Sequence, residues 1–469
     1  MSANLLIPAL LGATIIFLYA YADWQRAIKA VLVIVVFEGA LRKWVLPQAS
    51  ELIYFLKDLV LLGAYASYYK AHIMYQKKYA HKTIFDLLVF VIAIWCAVEI
   101  FNPRLGSPIV GLLGFKAYVY YIPLVWILPK LFSTQEQFYS FLRNYLLLII
   151  PIGVLGIVQY FSPVTSPINR YVPGEVTGIA TVGSNARITG TFSYLAGYGV
   201  YLMICFGLLL PLVSVPQSWR WRLLLGIALF LVVVNSFMSG SRGVVFTQAL
   251  LLILYLLFLG IRQPRATMHL LRQFALPALL VAYLVSTQFT VAIDNFMTRV
   301  NGNQDLSGRI IDNFADPFRY TEYSGWIGYG IGATLPGGNA MRAMLGLPAG
   351  EWIPVYYESE MARVVLEIGP IGFVLWYLLR IILVLLLFGL FWRLRTPVLR
   401  QLALMAFLIH LIQLNGQLVV NPTFNVYYWV LASFIFLLPQ LDEAYETPVQ
   451  KEAVHTHVPT ARYPRPSYG

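Results

Sequence analysis

The chain has 469 residues, of which 59% are hydrophobic and only 12% charged, and its mean hydropathy is +0.70. Soluble domains carry about 25% charged residues, so this composition excludes a soluble enzyme and predicts an all-α polytopic membrane protein. The net charge of +12 predicts basic cytoplasmic loops and no nucleic-acid partner, because lysine and arginine gather on the inner side of membrane proteins.

A membrane span needs about 20 mostly apolar residues. On that rule the apolar segments are 4–22, 27–41, 51–69, 84–101, 108–130, 143–161, 194–215, 222–238, 243–261, 272–290, 361–391, 399–419 and 424–440. The short second segment and the split at Pro108 set the expected count at about 12–14 transmembrane helices. No cleavable signal peptide is evident, since the first apolar run lacks a basic leader and passes straight into further spans. Cys96 and Cys205 fall in apolar runs and read as small buried hydrophobes rather than a disulfide or a metal pair. There is no internal repeat.

The loop 70–83 is strongly basic and so is expected in the cytoplasm. Counting spans from there puts 130–143, 220–222, 262–272, 393–400 and the C-terminus on the same side. Loops 42–50, 162–193 and 294–360 and the short turn at Gly240 then face outward, and the N-terminus with them if the first two spans both cross. Residues 1–440 read as a single transmembrane domain. Residues 441–469, rich in proline, charge and histidine, read as a disordered cytoplasmic tail in which His455 and His457 are solvated.

Residues 294–360 are the one long polar interval between apolar runs. A loop of this length is usually functional or disordered. It carries Phe314, Phe318, Trp326 and Trp352, residues that disordered segments lack, so it reads as an ordered extracytoplasmic region with the active site beneath it.

Basic residues at outward span ends run against the inside-positive bias and call for a reason. Arg42 and Lys43 lie in EGALRKWVLP, Arg170 and Arg187 in the second outward loop, Arg242 in MSGSRG and Arg309 in SGR. One such arginine is explained by snorkelling or an ion pair. Several converging on one face point to an anionic ligand, because the guanidinium fork binds two phosphate oxygens and never loses its charge. In Met238–Gly243, Gly240 and Gly243 permit a tight turn. Ser239, Ser241 and Arg242 then supply donors beside a helix N-terminus. A plain helical hairpin with an interfacial arginine accounts for the composition equally well.

Further on come Ser307-Gly308-Arg309, Gly328-Tyr329-Gly330-Ile331-Gly332, Glu358-Ser359-Glu360 and Glu367-Ile368-Gly369-Pro370-Ile371-Gly372. The glycine-rich piece has no following Lys-Ser/Thr and no preceding strand, which excludes a nucleotide P-loop. Lys57 and Asp58 sit inside an apolar run. Being adjacent they point to different sides of a helix and should pair with different neighbours, Asp58 with Arg42. Lys116 and Glu99 are similar cases. His410, Gln413, Asn415, Gln417 and Asn421 form a polar stripe whose commonest role is interhelical hydrogen bonding; lining a glycan or lipid path is the sharper reading.

SxSRG at a helical hairpin, SGR opening a large outward loop, GxGxG within it and ExGxxG on the returning helix together resemble the O-antigen ligase and O-antigen polymerase family, bacterial membrane glycosyltransferases of the C-type fold. The resemblance is clearest over residues 185–385. It implies a metal-independent, cofactor-free, inverting enzyme of the cytoplasmic membrane. The donor would be a glycan on undecaprenyl pyrophosphate and the acceptor a glycan or lipid. Membrane lipid surrounds it, and the polysaccharide export machinery is a further partner the resemblance leaves open. It matches Arg242 and Arg309 to the arginines that hold the pyrophosphate, with Arg42, Arg187 and Ser241 expected nearby. The family's histidine, eleven residues before the glycine of the returning helix, is replaced here by Glu358. Glu358 is therefore the candidate base, and Glu360 the alternative. A pair of interfacial carboxylates balancing Arg363 is the bland alternative. The departure leaves polymerases and divergent exopolysaccharide enzymes open alongside ligases. Competing readings are a lipid-linked oligosaccharide transporter and a non-catalytic component of an export complex. Carriers tend to have related halves and helices broken at the midplane, and the sequence shows neither.

Overall fold

The computed structural model of the protein describes residues 3–75, 83–172, 178–265, 267–268, 271–272, 283 and 306–455. Apart from one short β-pair, Thr181–Val182 with Asn185–Ala186, its regular structure is helical. Among the described residues, 7 helices are long and apolar enough to cross a membrane, with shorter apolar helices at Leu10–Ala22 and Pro397–Ile412. The chain is a multi-pass all-α membrane protein. A helix satisfies every backbone group within its own segment, which is what hydrocarbon demands. Among the described residues the seven are Pro108–Leu131, Gln135–Phe161, Leu195–Val213, Trp219–Met238, Arg242–Arg262, Glu360–Arg393 and Pro422–Ala444, and the expected segments nearer the N-terminus are helical at Ala3–Ala22, Trp24–Ala40, Leu56–Tyr75 and Ile84–Glu99. The expected span 272–290 lies outside the described residues except at Arg272 and Tyr283.

Local chemistry sets the helix starts. Thr83 and Asp86 form a reciprocal capping box at Ile84, and Asn421 caps the helix Pro422–Ala432, which begins on proline. Helix Leu195–Val213 is apolar all round and buried along nearly its whole length, which makes it the centre of the bundle. Its Tyr198 donates to Asn235 Oδ1 (2.8 Å), and Asn235 Nδ2 donates to Gly153 O (3.0 Å), so three helices are pinned through one buried amide.

Hydrogen bonds sort the connections onto two faces. On one, Arg262 donates to Trp392 O (2.9 Å), Gln135 to Leu441 O (3.1 Å), and the Arg395 and Thr396 amides to the Asp442 carboxylate. On the other, Lys43 donates to Gly190 O (2.8 Å), Arg187 to Ser239 O (3.0 Å) and Arg104 to the Glu351 carboxylate. This second, loop-bearing face gathers the segments expected to share a side. The last helix runs Phe434–His455, so helix replaces the irregular tail expected from Leu441 as far as His455. Asp442, by accepting from Arg395 and Thr396, ties its first turns to the bundle. Residues 456–469, His457 among them, lie outside the described residues.

The returning helix Glu360–Arg393 corrects the sequence reading of 361–391 as one unbroken span. Gly369 has φ 68° and ψ 176°, and Pro370 follows it. Proline lacks an N–H and disfavours a helical residue before it. A Cβ at Gly369 would lie 2.2 Å from the Trp326 carbonyl oxygen, so no other residue fits. The limb Pro370–Arg393 is long enough for about 36 Å at 1.5 Å per residue. The break therefore stands at the loop-bearing edge of the bundle, where Trp95 Nε1 donates to Ile368 O (3.0 Å), and not at the midplane. The far end of the first limb and the middle of the second meet one segment: Glu360 accepts from the Leu418 and Val419 amides, and Arg380 donates to Gln413 O. The helix is folded back on itself at Gly369.

Candidate functional site

After Ala40 the second helix loosens into a π-turn, Leu41–Val45, which turns both basic side chains of LRKW inward. Arg42 Nε donates to the Ser50 carbonyl (3.1 Å) and hydroxyl (3.0 Å), and Nη1 to Ser193 Oγ (3.0 Å). Lys43 Nζ donates to Thr189 Oγ1 (3.0 Å) and Gly190 O (2.8 Å) and lies over the Trp44 ring. Burial pushes the Lys43 ammonium down to about 7, since desolvation disfavours the charged form. Both side chains fasten the loop 187–193 to the end of the second helix.

The same loop reaches the SxSRG turn. Arg187 Nε donates to Ser239 O (3.0 Å), while Tyr171 OH holds the Arg187 carbonyl (2.9 Å). Gly240 turns the chain with φ 62°, and the Ser241 amide donates to Ser239 Oγ (3.2 Å). Ser241 is the N-cap of helix Arg242–Arg262, but its side chain makes no capping bond. Arg242 is the first residue of that helix. Arg42, Lys43, Arg187, Ser241 and Arg242 are therefore parts of one connected rim. Arg170 is exposed in the same loop. Arg309 opens the helix Leu306–Arg319, which packs against the returning helix; its side chain is outside the described residues.

The carboxylates separate sharply. Glu358 is exposed, and its carbonyl accepts from Gln417 Nε2 (3.4 Å). Glu360 is fully buried, and its Oε1 accepts from the amides of Leu418 (3.0 Å) and Val419 (2.8 Å). Arg363 Nη1 donates to Thr334 O (2.8 Å), with the guanidinium 5.0 Å from the Tyr357 ring. The two halves of the site flank the start of the central helix. Gly199 there abuts Val244, and Gly197 abuts Thr423. Arg242 and the segment that grips Glu360 consequently lie on either side of the first turns of Leu195–Val213.

The glycine motifs work as a lock. Gly328 has φ 77°, and a Cβ there would lie 2.6 Å from the Glu367 carbonyl oxygen; the Tyr329 amide donates to Leu366 O (2.7 Å). Glu367, fully buried, accepts from the Thr334 amide (2.9 Å) and hydroxyl (2.7 Å). GxGxG and ExGxxG thus clasp the loop to the break in the returning helix. Sequence reasoning missed Arg104. It grips Glu351 through two bonds (2.6 and 2.9 Å), donates to Ser324 O (2.9 Å) and covers the Tyr329 ring at 3.7 Å. The Arg104 hydrogen bonds hold the Glu351 carboxyl below its ordinary range. The available signal was a basic residue in the short outward connection Asn-Pro-Arg.

The intramembrane charges pair as their adjacency predicted, with one correction. Lys57 meets Glu38 (2.7 Å), whereas Asp58 meets Lys116 (2.5 Å) and the Tyr121 hydroxyl, not Arg42. Arg42 lies instead 3.8 Å from Glu38. Glu99 accepts from Asn102 Nδ2 (2.7 Å). In the polar stripe, His410 contacts the Ala406 carbonyl of its own helix and the Tyr428 carbonyl of the next. Chemically, the face offers fixed guanidinium and amide donors for an anion and an exposed carboxylate able to accept a proton. No known protein family matches the chain, and no curated protein matches it.

Proposed function

We propose that the protein is a membrane glycosyltransferase, which transfers or polymerises glycan from undecaprenyl pyrophosphate at the outer face of a bacterial cytoplasmic membrane. The observation that carries this reading is the junction of Arg187 with the Ser239–Arg242 turn, on the face that also bears Glu358. In the reaction Glu358 takes the proton of an acceptor hydroxyl as its oxygen attacks the anomeric carbon. The bond from that carbon to the pyrophosphate breaks, and the electron pair leaves with the pyrophosphate. Preorganised cations meet the developing charge without reorganising, which is the role given to Arg242 and Arg309 with Arg187 and Ser241 beside them. Arg42 supports the rim through Ser50 and Ser193.

Arg242→Lys and Arg309→Lys are expected to lose most glycan transfer, because a point charge does not reproduce bidentate binding. Transfer assayed with lipid-linked donor checks this; full activity in both variants would refute the anion site. The face assignment has its own check. Asp312→Cys, exposed in the same loop as Arg309, should react with an impermeant thiol reagent on intact cells and Ala444→Cys should not, and the opposite pattern would invert the topology.

A second reading, a transporter of lipid-linked oligosaccharide, is less well supported: carriers break helices near the midplane, whereas the break at Gly369 stands at the edge of the bundle. Protein in sealed vesicles that moves the lipid-linked glycan across without lengthening or transferring it would favour that reading.

A further inference from the structure

The amphipathic helix Leu306–Arg319 exposes Ile311 (62%), Phe314 (55%) and Phe318 (74%). Their spacing puts them on one face of the helix. Beside that face Asp312 and Arg319 form an ion pair at 3.2 Å. The helix end is fixed to the strand-like segment before the returning helix by the Tyr320 hydroxyl, which donates to Tyr356 O (2.7 Å). Tyr356, Trp352 and Trp326 are themselves 80%, 78% and 75% exposed. Apolar patches of this extent, rimmed by polar groups, mark interaction surfaces.

What covers the patch follows from its continuity with the membrane-facing sides of two spans. On helix Ile84–Glu99 and just beyond it, Phe90, Ile94, Val98 and Phe101 form an exposed stripe. The next residue, Asn102, donates to Ile327 O. On the second limb of the returning helix, Ile371, Val374, Leu378, Ile381 and Leu385 form another exposed stripe, which begins just past Gly369, where the Trp326 carbonyl is packed. Both lipid-facing stripes therefore run up to Trp326 and Ile327, and the exposed aromatics continue them. Tryptophan and tyrosine favour the headgroup level, where an apolar ring meets a wet edge. A helix with one aromatic-aliphatic face and a charged flank lies in that plane.

We infer that Ile311, Phe314, Phe318 and Trp326 form an interfacial anchor that lays the extramembrane loop onto the headgroup region of the bilayer the protein spans. The occupant of the patch is lipid. The anchor fixes the height of the loop above the membrane, and through the clasp at Gly328 and Gly369 the loop is tied to the returning helix.

The test places a single environment-sensitive fluorophore at Phe318→Cys and, separately, at Asp312→Cys, in protein reconstituted at high lipid-to-protein ratio into phosphatidylcholine–phosphatidylglycerol vesicles. Cys96 and Cys205 are buried, so the added thiol is the one labelled. Loss of the Asp312 ion pair is tolerable because exposed, solvent-screened pairs contribute little to stability. The expected result is blue-shifted emission at 318, strong loss of intensity with nitroxide lipids labelled near the headgroup and little loss with aqueous iodide, with the reverse at 312. Iodide quenching of 318 equal to that of 312 would show that the face meets water and overturn the anchor. Protection of 318 from both quenchers would show that protein covers the face, a second copy included, and would overturn it equally.

Discussion

Lys57→Met is expected to destabilise the bundle by about 3–5 kcal/mol, the cost of removing one partner from a buried ion pair. Lys57 is 2% exposed and Glu38 7%, and their nitrogen and oxygen are 2.7 Å apart. Lys57 also donates to Tyr54 O (2.9 Å) and lies over the Tyr54 ring. Without the lysine, Glu38 keeps only Arg42, at 3.8 Å, and Arg42 is already committed to Ser50 and Ser193. The loss should therefore fall toward the upper end of that range. Replacing both partners, Lys57→Met with Glu38→Leu, leaves no orphaned charge and should recover most of the stability. Thermal unfolding of the detergent-solubilised protein compares both variants with the wild type. A single mutant as stable as the wild type, or a double mutant worse than the single, would show that this pair does not hold the first helices together.

The spans were legible because an apolar run of membrane length has few other fates, and the loop-bearing face followed from where arginines and lysines fall. The same one-dimensional signal hid the break at Gly369. A Gly-Pro step is a helix breaker by its chemistry, yet it sits in 361–391, whose length and hydrophobicity alone read as one helix. Adjacency of Lys57 and Asp58 correctly implied different partners. It could not identify them, since Lys116 comes within reach of Asp58 only through packing of the helix Pro108–Val119 against its neighbours. The grouping of Arg42, Arg187 and Arg242 was readable as a charge anomaly. The roles of Gly328 and Glu367 were not, because each is defined by a backbone or hydroxyl more than thirty positions away. Glu358 and Glu360 look alike in sequence and differ completely in burial, a difference fixed by where residues 418 and 419 arrive.

That difference ranks the two carboxylates. Glu358→Gln is expected to lower glycan transfer by about 10²–10⁴-fold, the usual contribution of a positioned general base, while leaving the protein folded. Its side chain is exposed, and the bond from Gln417 goes to its carbonyl, which glutamine retains. Glu360→Gln should instead reduce folded protein, because Glu360 is fully buried and its carboxylate accepts two backbone amides. Charge-assisted bonds of that kind are about twice as strong as neutral ones, and a neutral amide weakens both while burying an additional donor. Its effect on transfer per folded molecule should be smaller than that of Glu358→Gln. Transfer rate, donor binding and folded yield, measured on both variants, separate the roles. Wild-type transfer in Glu358→Gln would exclude Glu358 as the proton acceptor, and if Arg242→Ala were also silent the rim would have no part in glycan transfer.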